Sequence, residues 1–251
     1  MYTVVLCVTA CYLRIYCCEP YMQITEIVEP EQKATSALIF LHGAGGSGPE
    51  MREIVESYIG NFSQFPNTRL IFPTASAVEF PAFPWNGQIT NVWYSFNSLV
   101  RNHVINTSEM ENSAKQLEKL IEQQVASGIS HKKICLVGYS SGGMMSINFG
   151  YGYAKNLGCI GAISAYIPLN SVLYKKIPIQ ENNLCVRLPP LYMYSGGLDF
   201  IMWPSWITET ANKLQHSGIS VTYKFQWFGT HFINKDGLEY LFQFIEKSIL
   251  S

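Results

Sequence analysis

Ser140 stands in Gly138-Tyr139-Ser140-Ser141-Gly142, a Gly-x-Ser-x-Gly pattern preceded by the apolar run Ile134-Cys135-Leu136-Val137 and followed by helix-compatible residues. A serine hydroxyl attacks a carbonyl only when a base takes its proton, so a reactive serine implies further groups. The strand–turn–helix setting is the one in which this motif makes a nucleophile elbow, a sharp turn that lifts the hydroxyl above a sheet. Small residues at Gly138 and Gly142 let strand and helix approach closely around it. The competing reading is a plain Gly/Ser turn after a buried strand, and the flanking pattern favours the elbow.

The chain has five histidines and two aspartates, Asp199 and Asp236, so the partners of Ser140 can be sought almost exhaustively. An elbow serine takes its acid and then its histidine from later in the chain. Only His216 and His231 follow Ser140. His216 ends an amphipathic helical stretch, where the helix dipole favours a solvated histidine. His231, in Gly229-Thr230-His231-Phe232, follows the strand-like run from Val221 to Gln226, and catalytic side chains gather on loops at strand ends. His231 is the expected base. Asp199 closes the apolar run from Pro190 to Ser195 at a Gly-rich turn, whereas Asp236 comes after His231 and reads as the N-cap of the last helix. Asp199 is the expected acid, orienting His231 and stabilising its imidazolium.

Acyl transfer also needs two N–H groups aimed at the developing oxyanion. The apolar run Ala37 to Leu41 feeds the Gly-rich loop His42-Gly43-Ala44-Gly45-Gly46-Ser47-Gly48, which suits one donor. The N–H of Ser141, next after the nucleophile, suits the other. The loop lacks the lysine and the spacing of a phosphate-binding P-loop.

Several runs together resemble the acyl-protein thioesterase/lysophospholipase family of α/β-hydrolases. They are Lys33 to Gly45, Ile71-Phe72-Pro73-Thr74-Ala75, Asn91-Val92-Trp93-Tyr94, Gly138 to Gly143, Gly197-Leu198-Asp199 and Gly229-Thr230-His231. Their order spans nearly the whole chain after the first two dozen residues, and Ile89 to Trp93 is most similar to the lysophospholipase-like branch. The resemblance implies a Ser140–Asp199–His231 triad, oxyanion donors at Ala44 and Ser141, and hydrolysis of fatty acyl esters or thioesters. The implied substrates are acylated proteins, lysophospholipids or small esters. The sequence departs from the family pattern at Ser95, at Ser141 and in Ser195-Gly196-Gly197-Leu198-Asp199-Phe200, which bears on the pocket wall more than on the triad. Two other readings are an exported depolymerase or feruloyl-type esterase, and a catalytically silent relative that binds an acyl ligand.

The elements that must position these groups follow from periodicity. Strands are expected at 22–28, 37–41, 69–72, 133–138, 159–164, 190–195 and 220–227, and helices at 51–59, from a Ser108-Glu109-Met110-Glu111 capping box to Gly128, from about 142, and at 205–216 and 236–249. Strands alternating with helices predict an α/β fold, a mainly parallel central sheet with helices on both faces. Residues 74–98 read as a long aromatic loop lining a substrate pocket, with Trp93 and Tyr94 in its wall, and Trp203 and Trp206 at the edge of that pocket. Residues 166–189 read as an irregular insertion.

With 251 residues and 48% hydrophobic content, the chain is long enough for one well-buried domain, expected over 23–251. Residues 1–22 form an extension of unknown role, apolar and rich in cysteine, which reads first as a β-rich or disordered segment, with reversible palmitoylation at Cys17 and Cys18 as the alternative. That run is too short to span a membrane, so membrane contact is expected to be peripheral at most. Seventeen Lys and Arg against eighteen Asp and Glu leave a net charge of −1 with no basic block, which argues against a nucleic-acid partner. No metal-ligand spacing occurs, so no metal or other cofactor is expected. Cys135, Cys159 and Cys185 are scattered, which reads as core usage in a reducing, cytoplasmic setting.

Overall fold

The computed structural model describes residues 22–154, 156–177 and 188–250. The expected extension apart from Met22, its cysteine pair, and residues 178–187 of the 166–189 insertion, Cys185 among them, lie outside the described residues. Seven strands form one sheet: β1 (Gln23–Val28), β2 (Ser36–Leu41), β3 (Thr68–Thr74), then β6 (Ile134–Tyr139), β7 (Cys159–Ile163), β8 (Leu191–Gly196) and β9 (Val221–Gln226). Their order is β1-β3-β2-β6-β7-β8-β9, and only the edge strand β1 runs antiparallel. The winding reverses between β2 and β6, which opens a crevice at the carboxyl ends of those two strands.

Alternation along β2 shows how the sequence covers both faces. Leu38 and Phe40 point to a core shared with helices α1 (Gly48–Ile59) and α6 (Lys235–Ile245). Ala37, Ile39 and Leu41 point to the other core, shared with α2 (Thr107–Ala126), α3 (Ser141–Gly152) and α5 (Pro204–His216). The central strands are apolar on both sides because both sides are covered. Helix α3 is buried from Ser141 to Tyr151, so it is apolar all round rather than striped.

Several local expectations are corrected. The 74–98 stretch is not all loop: β4 (Ala77–Phe80) and β5 (Gln88–Asn91) pair as an antiparallel ribbon within it. Helix α2 is capped by Asn106, whose side chain accepts from the Glu109 N–H, and not by Ser108. Helix α6 is capped by Asn234, which accepts from Gly237 N–H at 2.9 Å, so Asp236 sits in the first turn instead of at the cap. A short helix, α4 (Leu173–Lys176), interrupts the 166–189 stretch. Cys135 and Cys159 are not separate core thiols. They are register partners on adjacent parallel strands, with Cα atoms 4.7 Å apart, and form a disulfide.

Candidate active site

Strand β6 enters the elbow, and Ser140 occupies it with φ 54° and ψ −121°. This positive φ is uncommon for a residue with a side chain and is held by the surroundings. Ser140 N–H donates to the Ile163 carbonyl at 2.9 Å, and Ser140 O accepts from Met144 N–H at 3.0 Å as α3 begins. A side-chain carbon at Gly138 would lie 2.5 Å from Gly143 N, and one at Gly143 would lie 2.6 Å from Ala165 Cβ. Gly138 of the motif and Gly143 just after it are therefore required by packing.

The three residues read as a triad come from three separate strand ends and meet. His231 Nε2 lies 3.1 Å from Ser140 Oγ, and His231 Nδ1 lies 2.9 Å from Asp199 Oδ2. With a carboxylate accepting at Nδ1–H, Nε2 is left free to accept the serine proton. The other Asp199 oxygen, Oδ1, accepts from the N–H groups of Ile201 at 2.9 Å and Met202 at 2.8 Å. Asp199 is 1% exposed, against 7% for His231 and 8% for Ser140, so the acid is sealed and the serine is reachable. The loops that carry Asp199 and His231 are tied together by Leu198 N–H donating to the Gly229 carbonyl at 2.8 Å.

Tyr139, which sequence reasoning passed over, wedges between the site's two halves. Its ring centroid is 5.3 Å from that of His231. The same ring would lie 3.1 Å from a side-chain carbon on Gly43. Burial, with the Asp199 charge adding to it, pushes the phenol pKa up, so it stays neutral at working pH.

The loop after β2 carries Gly43 and Ala44 beside the elbow, since a carbon on Gly43 would fall 3.4 Å from Ser140 Cβ. Ser141 opens α3, so its N–H belongs to the first turn, where no intrahelical acceptor exists. Trp93 and Tyr94 are each 1% exposed, so they underlie the site instead of forming an open wall. Trp93 Nε1–H donates to the His42 carbonyl at 2.9 Å, and Tyr94 packs on the α3 side with its hydroxyl 3.3 Å from Asn148 Nδ2. Trp203 is half-exposed at the start of α5, its ring 6.2 Å from Phe200 and 6.4 Å from Trp206. Of the remaining histidines, His216 is exposed and bonded to the Asn212 carbonyl, while His131 faces Glu122.

Among the described residues no group of three or more His, Cys, Asp or Glu side chains could hold a metal ion, and no helix is long and apolar enough to cross a membrane.

The sequence profile of the phospholipase/carboxylesterase family matches residues 22–249. Lysophospholipase-like protein 1 of Mus musculus is 28% identical over 215 residues, covering 86% of this chain and 87% of that protein. Acyl-protein thioesterase 1 of Schizosaccharomyces pombe is 32% identical over 169 residues, covering 67% and 70%. Among solved structures, Zea mays acyl-protein thioesterase 2 superposes with a TM-score of 0.76 at 19% identity, over 92% of this chain and 99% of the other. Arabidopsis thaliana SOBER1 superposes with a TM-score of 0.72 at 22% identity, over 85% and 99%. At these identities the structural likeness speaks to the fold, which is that of an α/β-hydrolase.

Proposed function

The chain belongs to the phospholipase/carboxylesterase family and is an esterase or thioesterase, and from that premise we propose that it cleaves acyl esters or thioesters through a Ser140–His231–Asp199 triad and a covalent acyl-enzyme. The observation that carries the reading is His231 bridging Ser140 Oγ at 3.1 Å and Asp199 at 2.9 Å. His231 Nε2 takes the serine proton as Oγ attacks the acyl carbonyl, and Asp199 stabilises the imidazolium. The N–H groups of Ala44 and Ser141 hold the oxyanion. Collapse of the tetrahedral species expels the alcohol or thiol with the proton from His231, and water then repeats the cycle on the acyl-enzyme.

The catalytic domain in this reading is 23–251. Its substrates are acylated proteins, lysophospholipids or small esters, classes that the relatives' names suggest. Hydrolysis of p-nitrophenyl esters from acetate to palmitate tests it, with Ser140→Ala as the blank. Ser140-dependent turnover that holds with chain length supports an open acyl site. Turnover confined to the shortest esters supports a shallow one. Equal turnover by the blank overturns the triad.

A cytoplasmic setting is the first reading of compartment. The Cys135–Cys159 disulfide favours a second, an exported esterase, since such bonds persist in oxidising compartments. Intact mass of the chain from its native cells, before and after reduction and deglycosylation, decides between them. A reduced, unglycosylated chain supports the cytoplasm; an oxidised chain carrying glycan at Asn61, which opens the sequon Asn61-Phe62-Ser63, supports export.

A further inference from the structure

Resting on the serine-hydrolase reading above, we propose that His42 is a positioning residue that locks the Ala44 N–H in the orientation an oxyanion hole requires. The His42 ring is 2% exposed and bonds two backbone groups on opposite sides. Ala75 N lies 3.0 Å from Nε2, and a backbone N–H can only donate, so Nε2 is the unprotonated nitrogen. The ring proton is therefore on Nδ1, which donates to the Gly43 carbonyl at 2.6 Å. Burial lowers the imidazole pKa against the opposing pull of the Gly43 carbonyl and Glu50, which keeps this neutral tautomer in place.

The Gly43 carbonyl and the Ala44 N–H belong to one planar trans peptide, so they point opposite ways. Holding the carbonyl toward His42 holds the N–H away from it. Gly46 N–H donates to the same carbonyl at 3.1 Å. Flipping this peptide would break both bonds and present an oxygen, in place of a donor, to the developing oxyanion. Among the described residues, Ala44 N–H has no backbone acceptor of its own. Trp93 completes the clamp, its Nε1–H on the His42 carbonyl at 2.9 Å and its ring 5.2 Å from the imidazole. The end of β3 thus sets the geometry of a turn after β2, through one side chain.

Two substitutions separate this lock from packing. His42→Asn keeps an N–H where Nδ1 stood and can still hold the Gly43 carbonyl. His42→Gln reaches the place of Nε2 but offers no donor at Nδ1. With p-nitrophenyl butyrate, His42→Gln should lower kcat by about 10²-fold, the size of losing one oxyanion donor, with KM changed by less than about threefold. His42→Asn should stay within about tenfold of the parent kcat. Affinity for a trifluoromethyl ketone, which Ser140 captures as a tetrahedral oxyanion, should fall in parallel with kcat. Equal losses in the two variants, or parental kcat in His42→Gln, would overturn the lock.

The tautomer can be read in the parent protein even where a variant fails to fold. Imidazole 15N chemical shifts should report His42 protonated at Nδ1, and protonation at Nε2 would overturn the proposal. Ser140→Ala assayed alongside separates the two levels. Parental activity in that variant sinks the hydrolase reading itself. Loss there, with intact activity in His42→Gln, sinks only the lock.

Discussion

Gly142, on the first turn of α3, packs so closely on His42 that a side-chain carbon there would stand 2.5 Å from the His42 carbonyl oxygen. This approach brings the nucleophile's helix against the loop that carries Gly43 and Ala44. It also sets two effects against each other. Replacing a helical glycine by alanine gains about 1 kcal/mol of helix propensity. A methyl driven into backbone has no side chain that can yield, and overpacking of this kind costs ~1–3 kcal/mol or more. The clash wins. Gly142→Ala should lose at least about 1 kcal/mol of stability in urea unfolding, and kcat should drop as the loop is displaced. A stabilised variant with parental kcat would show that the loop yields.

Asp199 should act on His231 and not on the fold. Asp199→Asn keeps the shape and can still accept from Ile201 and Met202, but it no longer selects the Nδ1–H tautomer. We expect kcat to fall by about 10⁴-fold, the size seen when a triad acid is neutralised, and the thermal midpoint to stay nearly unchanged. Steady-state kinetics and calorimetry on the same sample check this, and a loss below about tenfold would remove Asp199 from the mechanism.

Tyr139 should matter through its ring. Tyr139→Phe keeps the contacts with Gly43 and His231, so kcat should stay within about twofold. Tyr139 is partly buried, so Tyr139→Ala should cost less than the about 3–5 kcal/mol of removing a fully buried aromatic, and it should lower kcat as His231 gains freedom. A Phe variant as impaired as the Ala variant would assign the role to the hydroxyl.

His103 gives a pH signature away from the site. It is buried against Phe96 and Tyr166, and burial lowers its pKa from an ordinary value near 6.5 despite the Val100 carbonyl pulling it up. The unfolded chain therefore takes up a proton near pH 6.5 that the folded chain resists, so stability is full above that pH and falls below it. His42 contributes with the same sign. Urea unfolding from about pH 7.5 to about pH 5 should show this decline, and His103→Asn should flatten part of it. An unchanged slope in the variant would contradict the assignment.

Much of this was legible in the sequence because the informative signals were local. The elbow could be read from glycines two residues either side of Ser140, and the meeting of Asp199 and His231 with Ser140 from two strand ends with few competing residues. The parallel sheet followed from strand–helix alternation. The misses have physical causes. Asn106 and Ser108 both precede a glutamate by three residues, and periodicity does not choose between the two frames, so the α2 cap was assigned two residues late. The β4–β5 ribbon hid in a stretch whose Pro and Gly content reads as loop. Trp93 looked like pocket wall because aromatics suit both pocket and core, and its burial and its bond to the His42 carbonyl, neither visible in the sequence, distinguish them. The disulfide depends on register between β6 and β7, and the His42–Ala75 bond joins residues 33 apart, so neither has a local signature.

The most direct test of the central claim is a rapid-mixing experiment with p-nitrophenyl butyrate on the parent protein and on Ser140→Ala. The account predicts a burst of p-nitrophenol approaching one equivalent per parent chain, an acyl adduct on Ser140 by mass spectrometry, and a kcat about 10⁴–10⁶-fold lower in the folded Ser140→Ala variant. Hydrolysis by Ser140→Ala at the parental rate, with no adduct on Ser140, would contradict it.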